Sequence, residues 1–386
     1  MTGTPIDFAT TPRILLSAGA LGGLAAIFAE KGARSVFIVT DAGLIRAGIV
    51  DPVVAGLRDA GLSATVFDRV EPDPPEHLVL AAVALAEEAG ADAVLGLGGG
   101  SAMDTAKLVA YLRRSPCELE SIYGVGLAND ERLPLVLAPT TAGTGSEVTP
   151  ISIVTTPSEE KKGVVSRRLL PDVALLDPNT TLGLPPAVTA ATGIDAMVHA
   201  IEAYTSRLRK NPISDILARQ ALSLLTGNLG NVLKSPGDID ARQGMLLGSC
   251  LAGMAFANAP VAAVHALAYP LGGRYHVPHG LSNALMMLPI LRFNLSAAAG
   301  LYAELADVVG IAPGGTVNAR AEAFLERIAT LVQGCEGVPK RLRDVGVTED
   351  RLDLLASDAM RQTRLLVNNP VDVTLADARR LYAEAF

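Results

Sequence analysis

Cysteine and charged residues are scarce in this chain of 386 residues. The three cysteines, Cys117, Cys250 and Cys335, lie far apart and form no C-x-x-C pattern. This spacing argues against a disulfide framework or a zinc ribbon and is typical of reduced cysteines in a cytosolic protein. Charged residues make up 19% of the chain against 49% hydrophobic ones, so an ordered protein with large cores is expected.

The charge pattern also argues against two kinds of partner. Forty acidic and thirty-two basic residues give a net charge of −8, with no run of Lys and Arg, so no nucleic-acid partner is expected. Residues 1–12 show no signal-peptide pattern, and we expect a cytoplasmic protein. The uncharged stretch 244–273 is long enough to span a bilayer, but its polar residues, prolines and glycines favour a buried helix, and no membrane association is expected.

The length suggests two domains, and the pattern changes at the turn-rich segment 177–186. Before it, strands and helices alternate, which predicts a parallel sheet. After it, helical periodicity continues almost without strand signals. We therefore predict an α/β plus all-α fold, with a dinucleotide-binding parallel-sheet domain over residues 1–182 and an all-helical domain over 183–386. The predicted strands are 13–16, 35–40, 64–70, 92–97, 133–138, 151–155 and 164–166, and the predicted helices are 20–31, 44–60, 76–89, 102–112, 186–206, 213–233, 239–257, 260–269, 281–293, 296–308, 317–334, 338–345, 349–357 and 374–385.

Two features of the first half indicate a nucleotide. The glycine-rich turn 96–101 lies between a predicted strand and helix, where glycines let the backbone approach a diphosphate at a helix N-terminus. Asp41 follows the strand 35–40 and can accept hydrogen bonds from ribose hydroxyls while repelling a 2′-phosphate. Tight-turn geometry explains many such glycines, and a capping role for Asp41 is about as common, so both structural roles stay open.

The segment 139–147 is a third candidate, because its small hydroxyl-bearing residues and glycines can hold phosphate, ribose or nicotinamide. The strands after it, 151–155 and 164–166, predict a β-hairpin over the first domain.

In the second half, the segment 192–206 has helical spacing of apolar residues, and Thr192 is its predicted N-cap. Asp195 and His199 are four residues apart, so both side chains lie on one face and can reach one cation, as the histidines of H-E-x-x-H do. Taken alone, such a pair is more often a solvated surface feature.

Histidine placement strengthens the case for a metal. The chain has five histidines, and His265, His276 and His279 fall within fifteen residues. A lone histidine in an apolar helix is usually a hydrogen-bonded core residue. Four candidates in one helical domain instead predict a divalent-cation site formed by Asp195, His199, His265 and His279. Three imidazoles and one carboxylate leave a net charge near +1, which favours an alkoxide or a polarised carbonyl at an open position.

These segments together resemble the iron-containing, or group III, alcohol dehydrogenases over almost the whole chain. The motifs are 98–107, 139–147, 193–204, 265–272 and 278–284. The resemblance implies a dehydroquinate synthase-like fold, the four metal ligands above, a G-G-G-S turn on the pyrophosphate and a lysine, Lys162, near the nicotinamide ribose. The predicted cofactor-binding residues are Asp41, Gly98, Gly99, Gly100, Ser101, Asp104, Thr140, Thr141, Thr144, Ser146 and Lys162.

The resemblance further implies reversible oxidation of a primary alcohol to an aldehyde. The expected cofactors are NAD and a divalent metal, with Fe²⁺ as the first expectation. Zn²⁺ is the alternative, because intrinsic affinity ranks zinc above ferrous iron and the supply of metal can decide. The expected partners are a small alcohol or aldehyde and further copies of the chain in a homodimer or larger assembly.

The chain departs from the family pattern at Tyr269, where many relatives carry a histidine implicated in proton relay. We predict that His276 takes this role or that Tyr269 passes the proton, with a surface location for His276 as the alternative. Met254 and Phe256 are predicted to line an apolar pocket or to pack the core. The segment 368–372 is predicted to be a structural turn.

Two other functions are compatible with a dinucleotide-binding domain. A dehydroquinate-synthase-like lyase needs several cations for an anionic substrate, whereas only Arg274 lies between residues 244 and 291. A non-catalytic dinucleotide-binding protein would not need a full ligand set, and turnover of an alcohol would exclude it.

Overall fold

The computed structural model describes residues 5–386, which divide into two compact units. One unit is Ala9–Gly183, and the other is Leu184–Phe386 together with residues 5–8. The sequence predicts a boundary after residue 182 and the N-terminal residues in the α/β domain, so Gly183 and residues 5–8 are assigned differently.

The α/β unit contains two sheets and five α-helices. The strands are β1 (Ile14–Leu16), β2 (Ser35–Val39), β3 (Ser63–Phe67), β4 (Ala93–Gly98), β5 (Gly124–Val125), β6 (Leu135–Pro139), β7 (Ile151–Thr155), β8 (Lys161–Val165) and β9 (Val173–Leu176). The helices are α1 (Leu24–Glu30), α2 (Ala42–Arg46), α3 (Val50–Asp59), α4 (Glu76–Glu88) and α5 (Gly100–Arg114). The larger sheet has the order β1-β9-β6-β4-β2-β3 and is parallel throughout, and the smaller has the order β5-β8-β7.

Helices cover both faces of the six-stranded sheet. On β2, Val36 and Ile38 pack with α1 and α3, whereas Phe37 and Val39 pack with α4 and α5. Successive strand residues point to opposite faces, so a strand covered on both sides must be apolar at every position. The continuous apolar run of β2 reflects this, and the predicted parallel-sheet fold is confirmed.

The chain changes direction across the sheet between β2 and β4. From β2 it continues outward to β3, and from β4 it continues through α5 to β6 on the other side. Ligands of open α/β sheets bind outside the carboxyl ends of the strands at such a point. Asp41 follows β2 and Gly98 ends β4, so both predicted cofactor residues lie there.

Two predictions for this unit were wrong. Strand β9 was missed, although Val173–Leu176 is fully buried between β1 and β6, because a four-residue apolar run carries little periodic signal. The predicted helix 44–60 is two helices, α2 and α3, since Gly48 between them has a left-handed φ of 70°. The predicted hairpin is present as β7 and β8, and β5 adds a third strand to it.

The second unit is helical, and none of its described residues forms a strand. Its helices are α6 (Pro186–Thr205), α7 (Pro212–Lys234), α8 (Ile239–Asn258), α9 (Ala263–Tyr275), α10 (His279–Ala306), α11 (Val317–Gln333), α12 (Leu352–Ala359), α13 (Thr363–Leu366) and α14 (Leu375–Ala385). Helix α6 packs against α7, α8 and α10, and α10 also packs against α9 and α11. The predicted all-helical second domain is confirmed.

Three local predictions in this unit were wrong. Thr192 lies inside α6 and donates from its hydroxyl to the Val188 carbonyl, because the helix begins earlier, at Pro186. The helices predicted over 281–293 and 296–308 are one helix, α10, in which Asn294 does not break the chain. Its side-chain amide instead exchanges two hydrogen bonds with the Asn369 amide, at 3.0 and 2.7 Å. The predicted helix 338–345 is only a short 3-10 turn, Leu342–Val345.

Helix α10 is long and apolar enough, by length and composition, to cross a membrane, and α8 with α9 would pass the same test as a bent pair. Buried side chains along α10 pack against α6, α9 and α11, as in the core helix of a helical bundle.

Candidate active site

Helix α6 supplies two of the predicted ligands. Asp195 and His199 lie one turn apart and are 1% and 4% exposed. Both belong to a stretch, 193–205, that is buried at every position. A helix buried on all sides has no solvated face, so the pair is not the surface feature that its spacing alone would suggest.

The other two ligands come from α9 and α10. His265 is in the first turn of α9 and is 2% exposed, and His279 is the first residue of α10. The start of α10 presses closely on α6, because a Cβ at Gly280 would lie 2.7 Å from the Ala191 carbonyl oxygen. Glycine at this position therefore allows the approach that brings His279 to Asp195.

The four side chains form one cluster. One ligand atom from each of Asp195, His199, His265 and His279 lies within 4.8 Å of the other three. The side chain of His279 is 31% exposed, so the cluster has one side open to solvent. One carboxylate and three imidazoles, close together and largely buried, are a donor set that suits a divalent transition metal with an open position.

Aromatic rings surround the cluster. The ring of His199 is stacked between His265, at 4.7 Å between centroids, and Phe256, at 4.3 Å. The phenyl ring of Phe256 therefore borders the cluster and fixes the plane of a candidate ligand, whereas Met254 is half-buried on the same helix.

The electrostatics favour a charged carboxylate at Asp195. Burial by itself raises the pKa of this carboxyl group, but the imidazoles of His199, His279 and His265 and the Asn283 amide outweigh it. The pKa of Asp195 is therefore below its ordinary value, and the group can bind a cation at neutral pH.

Two buried polar side chains at the cluster were missed from the sequence. Glu202 lies one turn beyond His199 on α6 and accepts from His265 Nδ1 at 2.7 Å and from the Val264 backbone N–H at 2.7 Å. Asn283, which is 0% exposed on α10, donates from Nδ2 to Asp195 Oδ1 at 2.6 Å. The spacing of Glu202, three residues after His199 on one helix face, was a usable signal for the first of them.

The two predicted relay residues lie in different surroundings. The ring of Tyr269 is half-buried with its centroid 6.0 Å from that of His279. His276 is exposed in a left-handed conformation with φ of 53°, and its backbone caps the C-terminus of α9. The structure therefore brings Tyr269 to the cluster and places His276 at the surface.

The predicted cofactor segments of the α/β unit lie against one another. A Cβ at Gly100 would come within 2.9 Å of Thr144 Cγ2, and one at Gly99 within 3.7 Å of Thr141 Oγ1. Thr140 donates from its backbone N–H to the Gly98 carbonyl at 3.0 Å. The glycine turn and the 139–147 loop thus form one surface at the start of α5, where Ser101 lies in the first helical turn.

Asp41 lies beside this turn. Its Oδ1 accepts from the backbone N–H groups of Gly43 and Leu44, so the capping role weighed from the sequence is present. Its Oδ2 faces the glycine turn, 3.8 Å from where a Cβ of Gly98 would lie. A carboxylate can do both, because each oxygen accepts separately.

Three other predicted cofactor residues make contacts within the protein. Asp104 accepts from the Ser146 hydroxyl at 2.6 Å through Oδ1 and from the Ile153 N–H at 2.9 Å through Oδ2. Lys162, on β8, forms a half-exposed ion pair with Glu160 at 3.0 Å. Asp104 and Ser146 therefore join α5 to the 139–147 loop and β7.

A parallel-sheet unit followed by a helical unit with such a ligand cluster is the architecture expected of the dehydroquinate synthase-like class of enzymes, and comparison with known proteins specifies the family. Residues 11–178 match the family model for iron-containing alcohol dehydrogenase, and residues 189–386 match the C-terminal model of the Fe-containing alcohol dehydrogenase family. The chain belongs to the iron-containing alcohol dehydrogenase family, and the predicted resemblance is confirmed.

Individual relatives agree with this assignment. A long-chain-alcohol dehydrogenase of Geobacillus thermodenitrificans is 41% identical over 95% of this chain and 93% of its own. A crystal structure of 1,3-propanediol oxidoreductase superposes with a TM-score of 0.96 at 34% identity, covering 99% of this chain and 100% of that one. The sulfoacetaldehyde reductase of Bifidobacterium kashiwanohense, solved with NAD⁺, superposes with a TM-score of 0.87 at 29% identity and 99% coverage of both. The predicted function, interconversion of alcohols and aldehydes, is confirmed at this level.

Proposed function

We propose that this protein interconverts a primary alcohol and its aldehyde with NAD and one divalent metal held by Asp195, His199, His265 and His279. The observation that carries the proposal is the buried cluster of one carboxylate and three imidazoles in the helical unit of an alcohol dehydrogenase fold. A divalent cation in this set supplies Lewis acidity toward the substrate oxygen.

Iron is the metal we propose for the protein in the cell, with zinc as its competitor. The donor set contains no thiolate, and imidazole and carboxylate groups bind both ions. Intrinsic affinity ranks zinc above ferrous iron, so the metal supplied during expression decides the loading.

NAD is the proposed dinucleotide, and it supplies the hydride acceptor. Three observations support it: the glycine turn at the N-terminus of α5, the Oδ2 of Asp41 facing that turn, and the NAD⁺ bound to the structurally similar sulfoacetaldehyde reductase. An uncompensated carboxylate at the ribose position would repel the 2′-phosphate of NADP.

The chain's own residues have separate tasks in this reaction. Asp195 holds a negative charge at the cluster, and Phe256 gives it an apolar wall that excludes water. Tyr269, whose ring lies beside that of His279, is the residue proposed to pass the substrate's hydroxyl proton toward solvent. His276 is exposed, which leaves it a role only at the outer end of such a chain.

The competing lyase function lacks the cations that it needs. Arg274, the one basic residue between 244 and 291, is paired with Asp358. A phosphorylated or polycarboxylate substrate requires several such groups in the site. The homodimeric or larger assembly and the cytoplasmic location stay predictions from the sequence.

The test is metal loading combined with a substrate screen. Protein freed of metal by chelation is loaded with Fe²⁺ under argon or with Zn²⁺ and assayed with NAD and NADP on primary alcohols of increasing chain length. We expect about one metal per chain and activity only in the loaded protein. His265→Ala and His279→Ala should each lose most of the metal and nearly all activity, whereas His77→Ala, on the exposed face of α4, should lose neither. Full metal content in a protein carrying both ligand substitutions contradicts the proposal.

A further inference from the structure

Glu202 occupies a buried position at which one carboxylate accepts two hydrogen bonds from the same short segment. It is 3% exposed, and its Oε2 lies 2.7 Å from His265 Nδ1 while its Oε1 accepts from the Val264 N–H at 2.7 Å. The N-cap residue of α9, Ala262, has no side chain that could cap the helix. Glu202 therefore caps α9 from α6 and contacts the imidazole that α9 carries.

The proton position on His265 follows from the other side of the ring. Asp195 is a carboxylate and can only accept, so the Asn283 atom at 2.6 Å from its Oδ1 is the amide nitrogen. The same nitrogen lies 3.2 Å from His265 Nε2 and 3.3 Å from His279 Nε2. An amide nitrogen presents only hydrogens, so a proton on His265 Nε2 would face another donor. A proton on Nδ1, facing the Glu202 carboxylate, avoids this repulsion.

The two sides of the ring therefore favour the same tautomer of His265. Glu202 accepts from Nδ1–H, and the Asn283 amide nitrogen near Nε2 disfavours a proton there. In this tautomer the lone pair of Nε2 points into the cluster of ligand atoms.

We propose that Glu202 is a positioning residue that holds His265 as its Nδ1–H tautomer, with the Nε2 lone pair available to a divalent cation. The inference rests on the metal site of the proposed function. A carboxylate behind a ligating imidazole fixes the ring and increases its electron donation, and loss of such a partner typically weakens metal binding about 10- to 100-fold.

Only a carboxylate accepts both hydrogen bonds and keeps the proton of His265 on Nδ1. A glutamine side chain of the same shape has one accepting oxygen, so one of the two contacts would have to be reversed. If its NH₂ group faces His265, the ring must accept at Nδ1 and carry its proton on Nε2, where the cation would bind. If the NH₂ group instead faces Val264, it meets the Val264 backbone N–H. Two donors then face each other, and the start of α9 loses its cap.

The direct test uses the unchanged, metal-free protein. Nitrogen-15 labelling of histidine and long-range ¹⁵N–¹H correlation distinguish the two tautomers, and the chain has only five histidines. The His265 signals, assigned by their loss in His265→Gln, should show a protonated Nδ1 and an unprotonated Nε2. A ring protonated on Nε2 overturns the inference.

The second test measures metal affinity with Co²⁺ against a chromophoric chelator. Glu202→Gln should bind Co²⁺ 10- to 100-fold more weakly and change its visible absorption bands, because one ligand is altered. In a His265→Ala background the same substitution should change the affinity less than twofold, since Glu202 acts through that ring. An equal loss in both backgrounds would mean a general destabilisation of the fold and would overturn the inference.

Glu304→Gln is the matched control. Glu304 also bonds a side chain of α6, the Tyr204 hydroxyl, but Tyr204 is not among the candidate ligands. This substitution should leave Co²⁺ affinity and absorption unchanged. If the unchanged protein bound no divalent cation at all, the proposed function would fail, whereas the tautomer measurement would still decide the role of Glu202.

Discussion

The carboxylate of Asp41 has two oxygens with different surroundings. Its Oδ1 caps α2 through Gly43 and Leu44, and its Oδ2 faces the glycine turn. Capping depends on an oxygen acceptor, whereas discrimination against a 2′-phosphate depends on the negative charge. The two roles can therefore be separated, because asparagine keeps the cap and removes the charge.

We expect the unchanged enzyme to have the larger kcat/KM with NAD. Asp41→Asn should shift the NAD:NADP ratio of kcat/KM toward NADP by at least tenfold, or about 1.4 kcal/mol. Asp41→Ala should shift it similarly and also lose about 1 kcal/mol of stability through the cap. Steady-state kinetics with both cofactors check the first point and urea unfolding the second. A higher kcat/KM with NADP in the unchanged enzyme would refute the ribose role of Asp41.

At the scale of single residues, the sequence predicts a functional role best where the interacting residues are close along the chain. Asp195 and His199 are found by their spacing, and His265 and His279 by the scarcity of histidine. Glu202 and Asn283 were missed because their partners are remote, at separations of 63 and 88 residues. A buried polar residue carries no mark of its role until the fold shows which donor or acceptor it faces.

At the scale of elements, one lysine joins α5 to the 139–147 loop. Lys107 is 0% exposed, and its ammonium group donates to Ser146 Oγ at 2.7 Å, Thr149 Oγ1 at 3.2 Å and the Ile151 carbonyl at 2.6 Å. All three of its hydrogens are thus used. Burial lowers the pKa of Lys107, and the Asp104 carboxylate opposes that change. These contacts of Lys107 therefore hold α5 and the 139–147 loop together.

Glu147, in the same loop, is a buried acid with a strongly raised pKa. It is 1% exposed, and neither carboxyl oxygen has a hydrogen-bond partner among the described residues. Burial raises its pKa to about 7, although the Lys107 ammonium opposes this change. The native state therefore binds this proton more tightly than the unfolded state, whose pKa is 4.5.

This difference makes stability depend on pH. The contribution of Glu147 to the free energy of unfolding should fall as pH rises from about 4.5 to about 7 and stay constant above that. Between those two values the free energy of unfolding should fall by at most about 1.4 kcal/mol for each pH unit, because one proton is released on unfolding. Glu147→Gln cannot ionise, so its stability relative to the unchanged protein should be greater at pH 8 than at pH 5. Urea unfolding at both pH values measures this, with Glu88→Gln at the exposed end of α4 as control. An equal difference at pH 5 and pH 8 contradicts the raised pKa.

Elements were predictable in proportion to their length and periodicity. The strand β2 and the helices α4 and α11 were placed within two residues by their apolar patterns. Strand β9 was too short to show a pattern, and α10 was divided because Asn294 resembles a helix end. In the fold, Asn294 stays inside the helix and its side chain bonds Asn369. That partner lies 75 residues further along the chain, so no local pattern could indicate it.

At the scale of the whole molecule, the residues proposed to bind the metal and those proposed to bind NAD lie in different units. All four proposed metal ligands and both of their buried polar partners, Glu202 and Asn283, lie in Leu184–Phe386. The glycine turn, Asp41 and the 139–147 loop lie in Ala9–Gly183. Because each proposed set of binding residues lies within one unit, we expect each ligand to order its own unit first.

Hydrogen exchange followed by mass spectrometry can test this division. A ligand that binds only the native state stabilises it by about 2.7 kcal/mol at a hundred times its Kd, which slows exchange through the corresponding opening about 100-fold. Removing the metal with a chelator should therefore speed exchange in α6, α9 and the first turns of α10 and leave β4 and the start of α5 unchanged. Adding NAD to the metal-free protein should protect β4, α5 and the 139–147 loop. The protein carrying His265→Ala and His279→Ala controls for the chelator itself, because its exchange should not respond to metal removal while its response to NAD persists. If metal removal instead sped exchange equally in both units, the metal would not bind only to Asp195, His199, His265 and His279. The assignment of these four ligands would then have to be revised.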